Sequence, residues 1–230
     1  KKTWIKSALR LLLVIMFVPY VFTLSRGSYL ALPFVYVTLI ALHKRSRGAM
    51  IILAVVLVGA VSAAVPKTVR DRITNTFTDA DYQARYGTAS LGGVGVDASV
   101  SARLDNWTGA AERFLDSPIW GLGVTGFGFV DSQYPRILIE VGLLGLAAFI
   151  YLIATVFREA MKVVRAPPDA FARGLATGVM AGTVGLLVHA LAANTFTIVR
   201  IMEPFWLSVG MVAAASGFGR ANSAEVPESE

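Results

Sequence analysis

Ser101-Ala-Arg103-Leu-Asp-Asn-Trp107-Thr-Gly-Ala-Ala-Glu-Arg-Phe-Leu-Asp-Ser-Pro118-Ile-Trp-Gly121-Leu-Gly123 closes a polar stretch that begins at Pro66 and has strongly apolar sequence on either side. A chain embedded in a bilayer needs no such excursion merely to cross it. The stretch sets Arg103 and Trp107 one helical turn apart, then runs through glycines straight back into apolar sequence. That arrangement suits a site at the membrane surface for an anionic, lipid-linked substrate.

The composition agrees with a membrane setting. Of 230 residues, 55% are hydrophobic and 16% charged, with a mean hydropathy of +0.63. A soluble domain is about 45–50% apolar and about 25% charged. The apolar residues fall in blocks rather than alternating, which reads as an all-α integral membrane protein. The chain has no cysteine, so disulfides, thiolate zinc sites and cysteine nucleophiles are excluded. No His/Asp/Glu pair has metal-ligand spacing, and neither a metal nor another cofactor is expected. The net charge of +6 does not indicate nucleic acid, because the basic residues sit in short loops between apolar spans. The chain opens on Lys1-Lys2 without a signal-peptide pattern, and is expected to be a piece of a longer protein.

About 20 apolar residues cross a bilayer as a helix. Six segments approach that length: Trp4–Leu24, Gly27–Leu42, Ala49–Val65, Ile137–Phe157, Gly174–Ala192 and Pro204–Gly219. The predicted layout has three transmembrane helices in 1–65 and an extracytoplasmic loop over 66–136. That loop carries an amphipathic helix near 102–116, N-capped by Ser101, and a glycine-rich re-entry. Three more spans follow in 137–219, then a disordered cytoplasmic tail over 220–230. Lys44, Arg45, Arg47, Arg158, Lys162, Arg165 and Arg173 collect on one side, whereas the short loops opposite hold only Arg26 and Arg200. The bias places both termini in the cytoplasm and the long loop outside.

This topology gathers polar groups from separate parts of the chain on the outer face. Arg26 sits between two spans with no true loop, where it either snorkels to headgroups or serves a function. Arg103 and Trp107 share one edge of the loop helix, whose other role is to lie on the bilayer with Trp107 as anchor. A guanidinium matches phosphate by donating to two oxygens at once. Asp131 precedes the fourth span, where a carboxylate can accept a proton or orient a hydroxyl, or simply favour a helix N-terminus. His189 ends the fifth span, as a base or a packing hydrogen bond. Glu140, one turn inside the fourth span, reads as a structural partner for an arginine. Ser25, Trp107, Gly123, Tyr134, Arg136, Arg200 and Glu203 are candidate substrate-binding residues on the same face. Gly121-Leu-Gly123-Val-Thr-Gly126 fits the dinucleotide fingerprint by letter, but has no βαβ context and is rejected as one. Its glycines instead permit a tight, re-entrant backbone.

Ser25-Arg26-Gly27-Ser-Tyr-Leu-Ala-Leu, Arg103-x-x-x-Trp107, Pro118-Ile-Trp-Gly-Leu-Gly123, Tyr134 and Glu140-Val-Gly-Leu-Leu-Gly145-Leu, in that order, resemble the O-antigen ligase and O-antigen polymerase superfamily of bacteria. The resemblance runs from Leu24 to roughly Trp206 and implies the C-terminal half of a longer enzyme. It implies inverting, metal-independent glycosyl transfer at the periplasmic face of the inner membrane. The implied donor is a glycan on undecaprenyl pyrophosphate, and the acceptor a sugar hydroxyl on lipid A core or another lipid-linked chain. By position, Arg26 and Arg103 correspond to arginines that hold the pyrophosphate. Many ligases carry a His-Asn-type pair where this chain has Asp131-Ser132, a departure that favours polymerase over ligase. Two other classes stay open: a transporter or flippase of lipid-linked saccharides, for which broken helices and inverted repeats are expected, and a non-enzymatic membrane scaffold.

Overall fold

The computed structural model describes residues 3–23, 25–43, 47–48, 50–52, 90–91, 94–95 and 98–224. The chain runs through α1 (Thr3–Phe22), α2 (Arg26–Leu42), the antiparallel pair β1 (Ser90–Leu91) and β2 (Val94–Gly95), then α3 (Ala98–Phe114), α4 (Gln133–Arg165), α5 (Ala170–His189), a 3-10 turn at Thr195–Thr197 and α6 (Val199–Ala224). Apart from that pairing of two-residue strands, the described residues form helices, turns and loops. Among the described residues, α4 and α5 are long and apolar enough to cross a membrane, and Gly27–Leu42 is a shorter apolar helix. The expected third span, Ala49–Val65, and the loop from Pro66 to Ala89 lie almost wholly outside the described residues.

Local sequence accounts for the helix ends. Ser25 caps α2 by accepting from the Ser28 backbone N–H at 3.3 Å, and Asp169 caps α5 by accepting from that of Ala172 at 2.6 Å. Pro167-Pro168 blocks continuation of α4, whose last turn carries Lys162 and Arg165 against the negative end of its dipole. Several boundaries differ from the sequence reading. α3 begins at Ala98, so Ser101 lies inside the helix rather than capping it. α6 begins five residues before Pro204, which its first turns tolerate, and it continues through Ala224. Arg220–Ala224, expected in the disordered tail, are helical, while 225–230 lie outside the described residues.

α2 runs antiparallel to α5, with Gly27 against His189 and Ala192 and Val35 against Gly185. The far end of α2 brings Leu42 to the main core, formed by Val156, Ala160 and Val163 of α4, Ala172, Ala176, Val179 and Met180 of α5, and Val212 of α6. Ala160 and Ala176 are fully buried, the small side chains that let helix backbones approach closely. A second cluster, Ala110, Val130 and Ile139 with Leu122 and Phe127, ties α3 and the glycine-rich loop to the start of α4.

α4 is broken at Gly142, whose φ of 65° and ψ of −164° are not helical. In an intact helix the Leu143 and Leu144 N–H groups would donate to the Ile139 and Glu140 carbonyls. Here Leu143 donates to the Pro118 carbonyl at 2.9 Å and Leu144 to that of Ile119 at 3.3 Å. The carbonyls of Ile139 and Glu140 accept instead from Leu122 at 2.7 Å and Gly123 at 3.0 Å. The re-entrant segment therefore inserts into the helical ladder and satisfies both sides of the break. Irregular backbone at membrane depth is tolerated only where such partners bury it. Gly121 makes the insertion possible: at φ 75°, a Cβ there would lie 2.5 Å from the Glu140 carbonyl and the Val141 nitrogen.

Candidate functional site

The start of α2, the approach to α4 and the end of α5 meet in one corner. Gly27 packs against the end of α5 so closely that an added Cβ would stand 3.0 Å from Ala192 Cβ and 3.3 Å from His189 Cδ2. Arg26 is therefore the first helical residue of α2 beside His189; its side chain lies outside the description. On the other flank, the Gln133 N–H donates to the Ala190 carbonyl at 3.0 Å, and Ser132 Oγ to the Leu191 carbonyl at 3.2 Å. Ser132 is fully buried at φ 138°, a left-handed conformation that these two bonds hold in place.

Asp131 enters this corner on a pinned segment. Three consecutive carbonyls each accept from a side chain: Phe129 from Asn106 Nδ2 at 3.1 Å, Val130 from Asn194 Nδ2 at 2.7 Å, and Asp131 from Trp107 Nε1 at 3.4 Å. Asn106 and Trp107 come from α3 and Asn194 from the turn after α5, so two separate elements grip one loop stretch. The amide nitrogens must face these carbonyls, and the amide oxygens of Asn106 and Asn194 are buried without a partner among the described residues. Both asparagines escaped the sequence reading. Asn106 stands beside Trp107 on the loop helix with no signal of its own, and Asn194 stands in an apolar run with no periodic signal.

His189 closes the corner. Its Nδ1 lies 2.7 Å from the hydroxyl of Thr195, which is fully buried in the turn following α5. The other ring edge, Cδ2 and Nε2, faces Gly27. Phe196 follows Thr195 and donates its N–H to Gln133 Oε1 at 3.0 Å, fixing the turn against α4.

The remaining predicted residues divide. Trp107 reaches the site through its bond to Asp131. Arg103 lies four residues before it on α3, with its side chain outside the description. The Tyr134 hydroxyl donates to the Leu187 carbonyl at 2.7 Å and the Arg136 guanidinium pairs with Glu140 at 3.0 Å, so both make protein contacts. The Glu140 pairing matches its expected structural role. Ser25 is the cap of α2. Gly123 has φ 83° with open space about it, whereas Gly121 is the loop glycine pressed against α4, at Glu140 and Val141. Arg200 and Glu203 are exposed on the first turns of α6.

A family model described as O-antigen ligase matches residues 11–150, more than half of the chain. No curated protein matches it significantly. The matched segment contains Arg26, Arg103 and Asp131 and stops short of His189.

Proposed function

The chain belongs to the O-antigen ligase family, and from that premise we propose that it transfers a glycan from undecaprenyl pyrophosphate to a sugar hydroxyl, with inversion and without a metal. The observation that best supports this is the corner itself, where the arginine-bearing start of α2, the pinned Asp131 segment and His189 converge. We place it at the periplasmic face of the inner membrane, with about six spans in this chain.

Attack of a hydroxyl on the anomeric carbon expels a pyrophosphate that gains negative charge as the bond breaks. Guanidinium groups held toward that charge act without reorganising, and Arg26 and Arg103 take this part. Asp131 orients the acceptor hydroxyl or receives its proton, with His189 the other group in reach of that task. Tyr134, Arg136, Gly123, Arg200 and Glu203 contribute to the saccharide-binding surface. Asp131-Ser132 in place of a His-Asn-type pair favours polymerisation over ligation.

The break in α4 is a feature expected of a transporter. In this chain four hydrogen bonds with the Pro118–Gly123 segment occupy the Leu143 and Leu144 N–H groups and the Ile139 and Glu140 carbonyls, so these groups are not available to coordinate a cargo. Family membership and that closure together favour glycosyl transfer.

The test replaces Arg26 and Arg103 singly by alanine in the full-length protein and follows polymer formation at matched expression. Each change is expected to lower turnover by roughly 10²–10³, as for loss of an oxyanion donor. Lysine restores part of it, keeping the charge but not the two-pronged geometry. Full polymer output from the double alanine variant rejects the assignment.

A further inference from the structure

We propose that Thr195 is a positioning residue for His189, holding the imidazole so that its Nε2 takes the proton of the acceptor hydroxyl beside Arg26. This rests on the glycosyl-transfer reading and assigns within it the proton step, leaving Asp131 to orient the hydroxyl. Three observations carry it. The Thr195 hydroxyl lies 2.7 Å from His189 Nδ1 and is wholly buried, so the ring has one partner fixed by the fold. Thr195 is itself held: its N–H donates to the Ala193 carbonyl at 2.9 Å, its hydroxyl lies 3.4 Å from the same oxygen, and the next residue is tied to Gln133. The opposite ring edge, with Nε2, is turned toward Gly27, one residue from Arg26.

The chemistry follows from the ring. An imidazole accepts a proton at Nε2 only if Nδ1 already carries its hydrogen, and that hydrogen needs an acceptor. Thr195 Oγ1 supplies one, and directs its own hydrogen to the Ala193 carbonyl. In the transfer, the acceptor oxygen bonds to the anomeric carbon as the carbon–pyrophosphate oxygen bond breaks. The bonding pair leaves on pyrophosphate, and the hydroxyl proton passes to Nε2. The imidazolium so formed keeps its Nδ1–H bond to Thr195, and its positive charge lies beside the arginine-bearing helix start where the anion departs.

The experiment combines a spectrum with kinetics in the full-length protein in nanodiscs. With ¹⁵N-histidine, the His189 signals, identified by their loss in His189→Gln, should show the Nδ1-protonated neutral tautomer. Thr195→Val should shift them toward a mixture, and Thr195→Ser should restore the single form. Thr195→Val is expected to lower kcat roughly 10- to 100-fold, the range of a hydrogen bond to a charged group, with KM little changed. In the His189→Gln background the same substitution should cost almost nothing further. An Nε2-protonated ring in the unmodified protein, or equal losses from Thr195→Val with and without His189, overturns the proposal. Transfer that needs both arginines yet survives His189→Gln defeats this inference while sparing the broader reading. Absence of any transfer from a lipid pyrophosphate donor defeats the broader reading, and this proton assignment with it.

Discussion

At the scale of single residues, Asn194 shows how much of the corner depends on one amide. Its Nδ2 serves a carbonyl of Val130, a residue almost completely buried. Asn194→Ala strands that carbonyl, at a cost of about 1–3 kcal/mol. Asn194→Asp, nearly the same shape, turns a carboxylate oxygen toward the carbonyl and buries a charge, so it should be worse than alanine. Thermal unfolding in detergent is expected to rank the proteins wild type, Ala, Asp in falling stability, with turnover falling in the same order as Asp131 loses its anchor. An aspartate variant as stable as wild type would mean that the amide nitrogen does not face Val130. Sequence reading singled out Arg26, Asp131 and His189 because polar and charged groups at the ends of apolar spans are costly and conspicuous. It missed Asn194, Asn106 and Thr195 because an amide or hydroxyl that serves a backbone or ring across the fold leaves no local pattern.

At the scale of elements, the break in α4 was half legible. The glycines of Gly121-Leu-Gly123 announced a re-entrant backbone, and the structure places Gly121 against α4. That Gly142 would open the receiving helix could not be read from an apolar span in which glycine is a common packing residue. The helix ends drifted for a related reason: Ala98–Phe114 starts before its expected cap because serine is also tolerated inside a helix, where tertiary contacts outweigh propensity. The two glycines form one device. Gly142→Ala places a methyl group against the Ile119 carbonyl at φ 65°, and Gly121→Ala meets Glu140 and Val141 at φ 75°. Each combines a left-handed backbone penalty of about 1–3 kcal/mol with a clash against backbone that has no rotamer to escape into. Both single variants should lower the unfolding temperature, and the double variant should lose less than the sum, since either change expels the same segment. Gly174→Ala, in open space on α5, is the control and should be neutral or slightly stabilising. Strict additivity of the two losses would show that the segment and the break are independent.

At the scale of the whole molecule, the orientation of the corner follows from charge bias rather than from any single contact. Lys162 and Arg165 close α4, and Arg173 opens α5, so the α4–α5 connection lies on the basic side. The antiparallel pairing of α2 with α5 then carries the start of α2 and the end of α5 to the opposite side, together with the first residue of α4. The rule that short basic loops stay in the cytoplasm predicts one orientation for all three elements that place the site. The chain contains no cysteine, which makes the rule directly measurable. Glu112 is exposed on α3 and Ala166 is exposed between α4 and α5. A cysteine at Glu112 should react with an impermeant maleimide on spheroplasts, while one at Ala166 should react only after the membrane is opened. The reverse pattern would put the arginines, Asp131 and His189 in the cytoplasm. Labelling of both in sealed spheroplasts would mean that α4 and α5 do not separate the two sides, and the membrane-surface site would lose its basis.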